Sequence, residues 1–391
     1  MKIRPAALAA GFTYGYAALR LVQMLGPRPE PVADRDAKRY GTERRAYLVG
    51  GIVRSLTGLA ATAFVSGDAI ERSLAPLPRP LRVPAFVALL ALIETAREWP
   101  VDFVEHYELE RRYAMSEQSV ESWTADHLKG AAIGVGVTAL LAAGADLLIR
   151  RAPRRWPLLA IGAMPPLLAL ANVIAPTFIM PLFNKYVPLE GNLERLIRDL
   201  AKRYDVGNAQ ILRFDMSRQT KKANAFVTGV FGTERIVLAD TLIDEFPDDE
   251  TMFVVAHELG HYVRRDPWVA IALGTVATAG TILFGAAMLK RTTGHGIRGA
   301  ADGARFAFYA SLAGTVLQPV MAAASRAIER RADRFAVAAT NDPASGARAF
   351  RRLRDQNLAE DEAPKWAEFL FATHPSLKSR IARLEAASAT G

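Results

Sequence analysis

The 391-residue chain has no cysteine. That absence excludes disulfides, cysteine-type zinc fingers and a thiol nucleophile together, so any metal must be held by histidine and carboxylate. Histidine is scarce as well, with six in the whole chain, which makes any closely spaced pair conspicuous. Lysine numbers 10 against 39 arginines, and with abundant alanine this reads as the bias of a GC-rich bacterial genome. No internal repeat, low-complexity tail or nucleic-acid recognition motif is present. The formal charge of +9 is dispersed over short loops, as in Arg150, Arg151, Arg154 and Arg155. Such clusters beside apolar runs suit lipid headgroups, and no nucleic-acid partner is expected.

Long apolar runs are what the chain has in quantity. Stretches near the roughly 20 residues needed to cross a bilayer lie at 6–25, 46–65, 81–95, 130–149, 156–180, 268–289 and 306–324. This predicts about seven transmembrane helices, the third of them short. The first run is read as an uncleaved span, because Tyr14, Tyr16 and Arg20 make a poor signal-peptide core. Arg54 and Glu94 fall inside runs and are expected to point toward protein or water, since a charge facing lipid is costly.

Between the spans lies His257-Glu258-Leu259-Gly260-His261. Residues i and i+4 share a helix face, so both imidazoles can reach one ion, and the glutamate beside the first can serve as general base for a water. Pro247 with Asp248, Asp249 and Glu250 suits a helix start, and Arg264, Arg265 and Pro267 suit its end, predicting a helix over 251–264. A buried helix with two merely hydrogen-bonded histidines is the bland alternative.

Upstream, helical spacing over 192–204 and strand-like segments at 210–214, 224–230 and 235–239 predict a small sheet. Gly232-Thr233 suggests a hairpin whose outer strand, 224–229, is an open edge able to pair with an extended peptide. An ordinary edge strand fits these residues equally well. Two spans follow the histidines, so a membrane hairpin returns the chain to the same side at Ser325 to Asp333. There Glu329 and Asp333 are i, i+4. Two histidines and Glu329 would leave a fourth zinc position for water, with Asp333 orienting a ligating histidine; a charged face paired with neighbouring arginines fits the spacing as well.

With these residues the chain resembles the type 1 CaaX prenyl proteases, integral-membrane zinc metallopeptidases of the gluzincin type. The resemblance is carried by His257–His261, Ser325-Arg326 through Glu329 to Ala332-Asp333, His374-Pro375, Asn224-Ala225-Phe226, and Pro181 to Asn184 followed by Pro188-Leu189. The stretch from Tyr113 to Lys129, with Trp123 and Asp126, is similar more loosely. It implies a mainly α membrane protein of seven helices around a water-filled chamber, with a small α+β zinc metalloprotease domain. It implies one Zn2+ per chain on His257, His261 and Glu329, with Glu258 as base, His374 holding the oxyanion and Asp333 behind a ligand. Asn224, Ala225, Phe226 and Arg380 are its candidates for substrate binding.

The expected organisation is a membrane region over 1–183, a catalytic block over 184–265, a two-span hairpin over 266–325 and a second catalytic block over 326–391. The expected function is zinc-dependent endoproteolysis of membrane-associated or CaaX-like peptides in a bacterial inner membrane. The resemblance implies a cytoplasmic catalytic face, while the positive charges at 150–155 and 290–298 fall on the opposite side and leave orientation open. An HtpX-type protease shares the zinc motif but has about four spans, and the runs before Trp156 argue against it. A non-enzymatic membrane protein with structural zinc is opposed by the missing cysteines and by the free Glu258.

Overall fold

A computed structural model describes residues 5–30, 32, 35–229 and 233–390. The first half is a set of helices: α1 (Pro5–Leu25), α2 (Ala37–Ala61), α3 (Gly67–Ser73), α4 (Arg79–Asp102), α5 (Leu109–Arg112), α6 (Val120–Arg151) and α7 (Trp156–Ile174). Wide π-type turns at Thr62–Ser66, Phe103–Glu108 and Ala175–Ile179 join or extend them without breaking the rod. Five helical stretches are long and apolar enough to cross a membrane: Ala37–Ser73, Val120–Arg151, Trp156–Leu182, Asp266–Thr293 and Ala300–Thr340. α1 and α4 coincide with the other two expected runs but fall outside that set. The run expected to be short, 81–95, is part of a 24-residue helix.

Arg54 is buried as its position in a span demands, donating to Glu105 at 2.9 Å and to Glu98 at 3.3 Å. Glu105 also accepts from Tyr16 and Arg20. A buried charge is tolerated only when partners replace its lost water, and this cluster supplies them. Glu94 pairs with Arg97 one turn on.

The second half contains β1 (Tyr186–Pro188), α8 (Asn192–Lys202), β2 (Gln210–Phe214), β3 (Ala225–Thr228), β4 (Arg235–Ala239), α9 (Asp240–Glu245) and α10 (Asp248–Val263). After these come α11 (Asp266–Thr293), α12 (Ala300–Thr340), α13 (Pro343–Gln356), α14 (Lys365–Phe371) and α15 (Leu377–Thr390). The sheet order is β1-β2-β4-β3, with β2 parallel to β4 and the outer pairs antiparallel. β3 therefore forms an edge. Its hairpin turn requires glycine at 229, where φ is +96° and a Cβ would sit 2.2 Å from the Thr233 carbonyl oxygen; Gly232 lies outside the described residues.

The core follows from patterning. On α8, Leu193, Ile197, Leu200 and Ala201 are buried at i, i+4, i+7 and i+8, while Arg195, Asp199 and Lys202 face out. α10 is buried over most of its length, and Phe253, Val255, Ala256 and Leu259 are almost wholly buried between sheet and helices. Each such Leu, Val or Phe contributes about 1.5–3 kcal/mol, enough to hold a helix that carries polar ligands. α12, with 41 residues, is about 60 Å long at 1.5 Å per residue, roughly twice a bilayer core. Its charged C-terminal turns thus extend rigidly from its apolar part and bring Glu329 and Asp333 to α10.

Candidate metal centre

Where α10 meets α12 the approach is close because residue 260 has no side chain. A Cβ there would meet Phe335 Cδ1 at 2.9 Å and Phe335 Cβ at 3.1 Å. Glycine inside a helix costs about 1 kcal/mol relative to alanine. At Gly260 the exchange is proximity: Glu329 lies against both histidines.

His257 Nε2 is 3.2 Å from Glu329 Oε2 and His261 Nε2 is 3.4 Å from Glu329 Oε1. The two Nε2 atoms are 3.2 Å apart. Each ring's other nitrogen faces a carboxylate at 3.0 Å, His257 Nδ1 on Asp333 and His261 Nδ1 on Asp266. With Nδ1 donating to the carboxylate, each ring in its neutral form turns an Nε2 lone pair toward the other. Lone pairs do not attract; a cation between them does.

The donor set fits zinc. Tetrahedral ligands about 2.0–2.1 Å from an ion lie roughly 3.3 Å apart; the two Nε2 atoms are close to that at 3.2 Å, and each has a Glu329 oxygen at 3.2–3.4 Å, with one donor atom per residue all within 4.8 Å. Glu329 Oε2 is buried without a hydrogen-bond partner, as expected of an atom shaped for a metal. Among the described residues three donors converge, which matches catalytic sites, where a fourth position stays open, rather than closed structural ones.

Charge around the histidines is acidic. Burial pulls the His257 pKa down, but the Asp333 and Glu329 carboxylates outweigh it and hold it up at about 9, so these carboxylates favour a positive charge at His257, which either a proton or a metal ion supplies. His261 is raised in the same way, burial being outweighed chiefly by Glu329. Burial pushes the Glu258 carboxyl up against the pull of His257 and His261. A carboxylate so raised is a better proton acceptor than a solvated one.

His374 Nε2 lies 3.4 Å from Glu329 Oε1, and its ring is 60% exposed beside the centre. Arg380 lies directly behind the ligands: 7% exposed, it donates to Asp333 from Nε at 3.0 Å and from a terminal nitrogen at 2.6 Å, that nitrogen also 3.9 Å from Glu329 Oε2, with its guanidinium 4.0 Å from the Phe350 ring centre. It backs Asp333. Asp266 was not singled out from sequence. It holds His261 and accepts from Arg331 at 2.9 Å; its signal is only an aspartate five residues beyond the second histidine.

The register of β3 shows which backbone groups face the open edge. Ala225 pairs with Leu238 and Val227 with Ile236, and Ala239 N–H donates to Asn224 C=O at 2.9 Å. In an antiparallel ladder hydrogen-bonded and non-bonded pairs alternate. Residues 224, 226 and 228 therefore turn their N–H and C=O toward β4, and 225 and 227 turn theirs outward. No strand pairs with that side among the described residues.

Residues 189–388 match peptidase family M48, and residues 45–185 match the CAAX prenyl protease N-terminal, five membrane helices. The uncharacterized metalloprotease YhfN of Bacillus subtilis is 29% identical over 315 residues, 78% of this chain and 74% of that protein. CAAX prenyl protease 1 of Saccharomyces cerevisiae is 31% identical over 182 residues, 46% of this chain and 40% of that protein. The crystal structure of S. mikatae Ste24p matches with a TM-score of 0.79 at 21% identity, covering 98% of this chain and 100% of that one, and so shares the fold. The first match alone spans just over half the residues, and with the membrane helices and the fold it establishes that the chain belongs to peptidase family M48, as a multi-pass membrane metalloprotease.

Proposed function

We propose that the chain is a zinc metalloendopeptidase that cleaves membrane-associated or CaaX-like peptides, with His257, His261 and Glu329 holding one zinc ion. The observation that carries this is the convergence of two Nε2 atoms 3.2 Å apart on the buried Glu329 carboxylate, one oxygen 3.2 Å from His257 Nε2 and the other 3.4 Å from His261 Nε2. When bound, zinc supplies Lewis acidity and lowers the pKa of water toward neutrality. The chain supplies the rest. Asp333 and Asp266 fix the tautomer and aim of the two histidines, as carboxylates behind ligating imidazoles do. Glu258 takes a proton from the attacking water and returns it to the leaving amine. His374, exposed beside Glu329, donates a hydrogen bond to the oxygen of the tetrahedral intermediate. The outward groups of Ala225 and Val227 hold an extended peptide by main-chain pairing, with Asn224 contacting its backbone.

Cleavage of a quenched-fluorescent peptide by the full-length protein in detergent, with and without a chelator, tests the reading. We expect one zinc per chain, loss of activity on zinc removal and recovery on its return. Glu258→Gln should keep the zinc and lose at least about 100-fold in turnover. Activity untouched by zinc removal, or a Glu258→Gln enzyme as fast as wild type, would overturn it.

A further inference from the structure

The open edge of β3 is closed at one end. The backbone before the strand continues its alternation: Lys222 C=O accepts from Thr241 Oγ1 at 2.8 Å, on the β4 side, and so does Asn224 C=O from Ala239. Ala223 between them therefore faces the same way as Ala225 and Val227. It is taken. Asn357 accepts the Ala223 N–H through Oδ1 at 2.8 Å and donates from Nδ2 to the Ala223 C=O at 3.4 Å, the two bonds that a paired strand would make.

Asn357 is held where it does this. It caps α13, and the helix closes with Ala359 N–H on Arg354 C=O at 2.8 Å and Leu358 N–H on Asp355 C=O at 3.4 Å. This double closure normally places glycine at the position after the cap, but here Leu358 occupies it with φ +49°. A non-glycine residue in that region is strained by about 1–3 kcal/mol and persists only where surroundings over-determine it. The surroundings do so: Leu358 is 6% exposed, packed with Tyr40, Leu109, Tyr113 and Met115. Beyond Asn357 the wall opens into a cavity of about 970 Å³ lined by Lys222, Leu358 and Glu360 on one side and α2 on the other.

We propose that Asn357 is a specificity-determining residue: its side chain occupies the next pairing position along the substrate edge. A peptide then pairs with Val227 and Ala225 and must leave the plane of the sheet, or end, at Ala223. The substrate class is an extended peptide whose chain terminates within a residue or two of that point, or one flexible enough there to turn into the cavity. This rests on the edge-strand reading of substrate binding given above.

The test uses zinc-loaded full-length protein and two peptide series, lengthened one residue at a time on the N-terminal or the C-terminal side of the scissile bond. For wild type we expect kcat/KM to stop rising, or to fall, beyond a fixed length in one series only; which series shows the limit gives the direction of the bound chain. In Asn357→Ala the limit should move outward by two residues, the spacing of outward-facing positions. Peptides of the new length should gain roughly 3–10-fold in kcat/KM, mainly through KM, as one or two hydrogen bonds allow. Short peptides and zinc content should be unchanged. Wild type with no length limit on either side, or zinc-loaded Asn357→Ala with the wild-type limit, overturns the proposal; the wild-type series decides even if the variant does not fold. No cleavage of any peptide, or full cleavage by Val227→Pro, sinks the underlying edge-strand reading instead.

Discussion

Gly260→Ala is the sharpest probe of how the fold sets the metal site. The new Cβ would stand 2.9 Å from Phe335 Cδ1 and 3.1 Å from Phe335 Cβ and Cγ, whereas carbon pairs prefer about 3.5–4.0 Å. Relief of the Cβ contact requires about 0.3–0.5 Å of separation. Swinging the ring would free Cδ1, but Cβ is tied to the α12 backbone, so the two helices themselves must part. Metal–ligand distances hold to within about 0.2 Å, and Glu329 lies on α12 less than two turns before Phe335. The displacement is about twice that tolerance.

Stability should change far less than metal binding. Alanine favours the helix by about 1 kcal/mol over glycine, while overpacking costs about 1–3 kcal/mol, leaving a net loss of about 0–2 kcal/mol. Zinc affinity should fall at least about 10–100-fold, the range for disturbing a ligand's support, with turnover at limiting zinc falling alongside. Competition with a chelator of known affinity measures the first, and thermal unfolding of the same preparation the second. A Gly260→Ala protein with wild-type zinc affinity and cleavage would refute the idea that this helix approach sets the ligand spacing.

Glu329→Ala should lose most of its zinc as well as its activity, because two histidines alone leave too few ligands; metal analysis after dialysis checks it, and wild-type zinc content would place the third ligand elsewhere. Asp266→Asn keeps the size of the group but weakens its hold on His261 Nδ1, and should cost about 10–100-fold in zinc affinity, measured by the same competition; unchanged affinity would leave His261 without need of its support. Val227→Pro removes a donor that faces the open edge and spares the β4 ladder bonds at 224, 226 and 228. It should therefore keep fold and zinc while peptide cleavage drops at least about tenfold, and a fully active, zinc-loaded variant contradicts pairing at this edge.

The parts of the architecture legible in the sequence are those set by local spacing. His257 and His261 declare their shared face because a helix repeats every 3.6 residues, and the spans declare themselves by run length. Glu329 and Asp333 show the same i, i+4 geometry, but spacing alone left a ligand pair and a solvated face equally open, because what separates them is the packing of α10 on α12. β1 escaped notice because three residues ending in Pro188 carry no periodic signal. The expected helix 251–264 begins earlier, at Asp248, since the acidic residues form its first turn rather than precede it.

Asp266 and Asn357 show a deeper limit, since each works through a non-glycine residue in the left-handed region. Arg265, at φ +58°, turns the chain between α10 and α11 so that Asp266 comes back to within 3.0 Å of His261 Nδ1. Leu358, at φ +49°, closes α13 and leaves Asn357 against Ala223, 134 positions away in sequence. Propensity rules place glycine or asparagine at such turns, so an arginine and a leucine there conceal them. Strain of this size is kept only where the remainder of the fold holds it. For Leu358 that hold is burial against Tyr40 and Tyr113 from the membrane half, which implies that the end of the substrate edge is fixed from across the boundary between the membrane helices and the catalytic block.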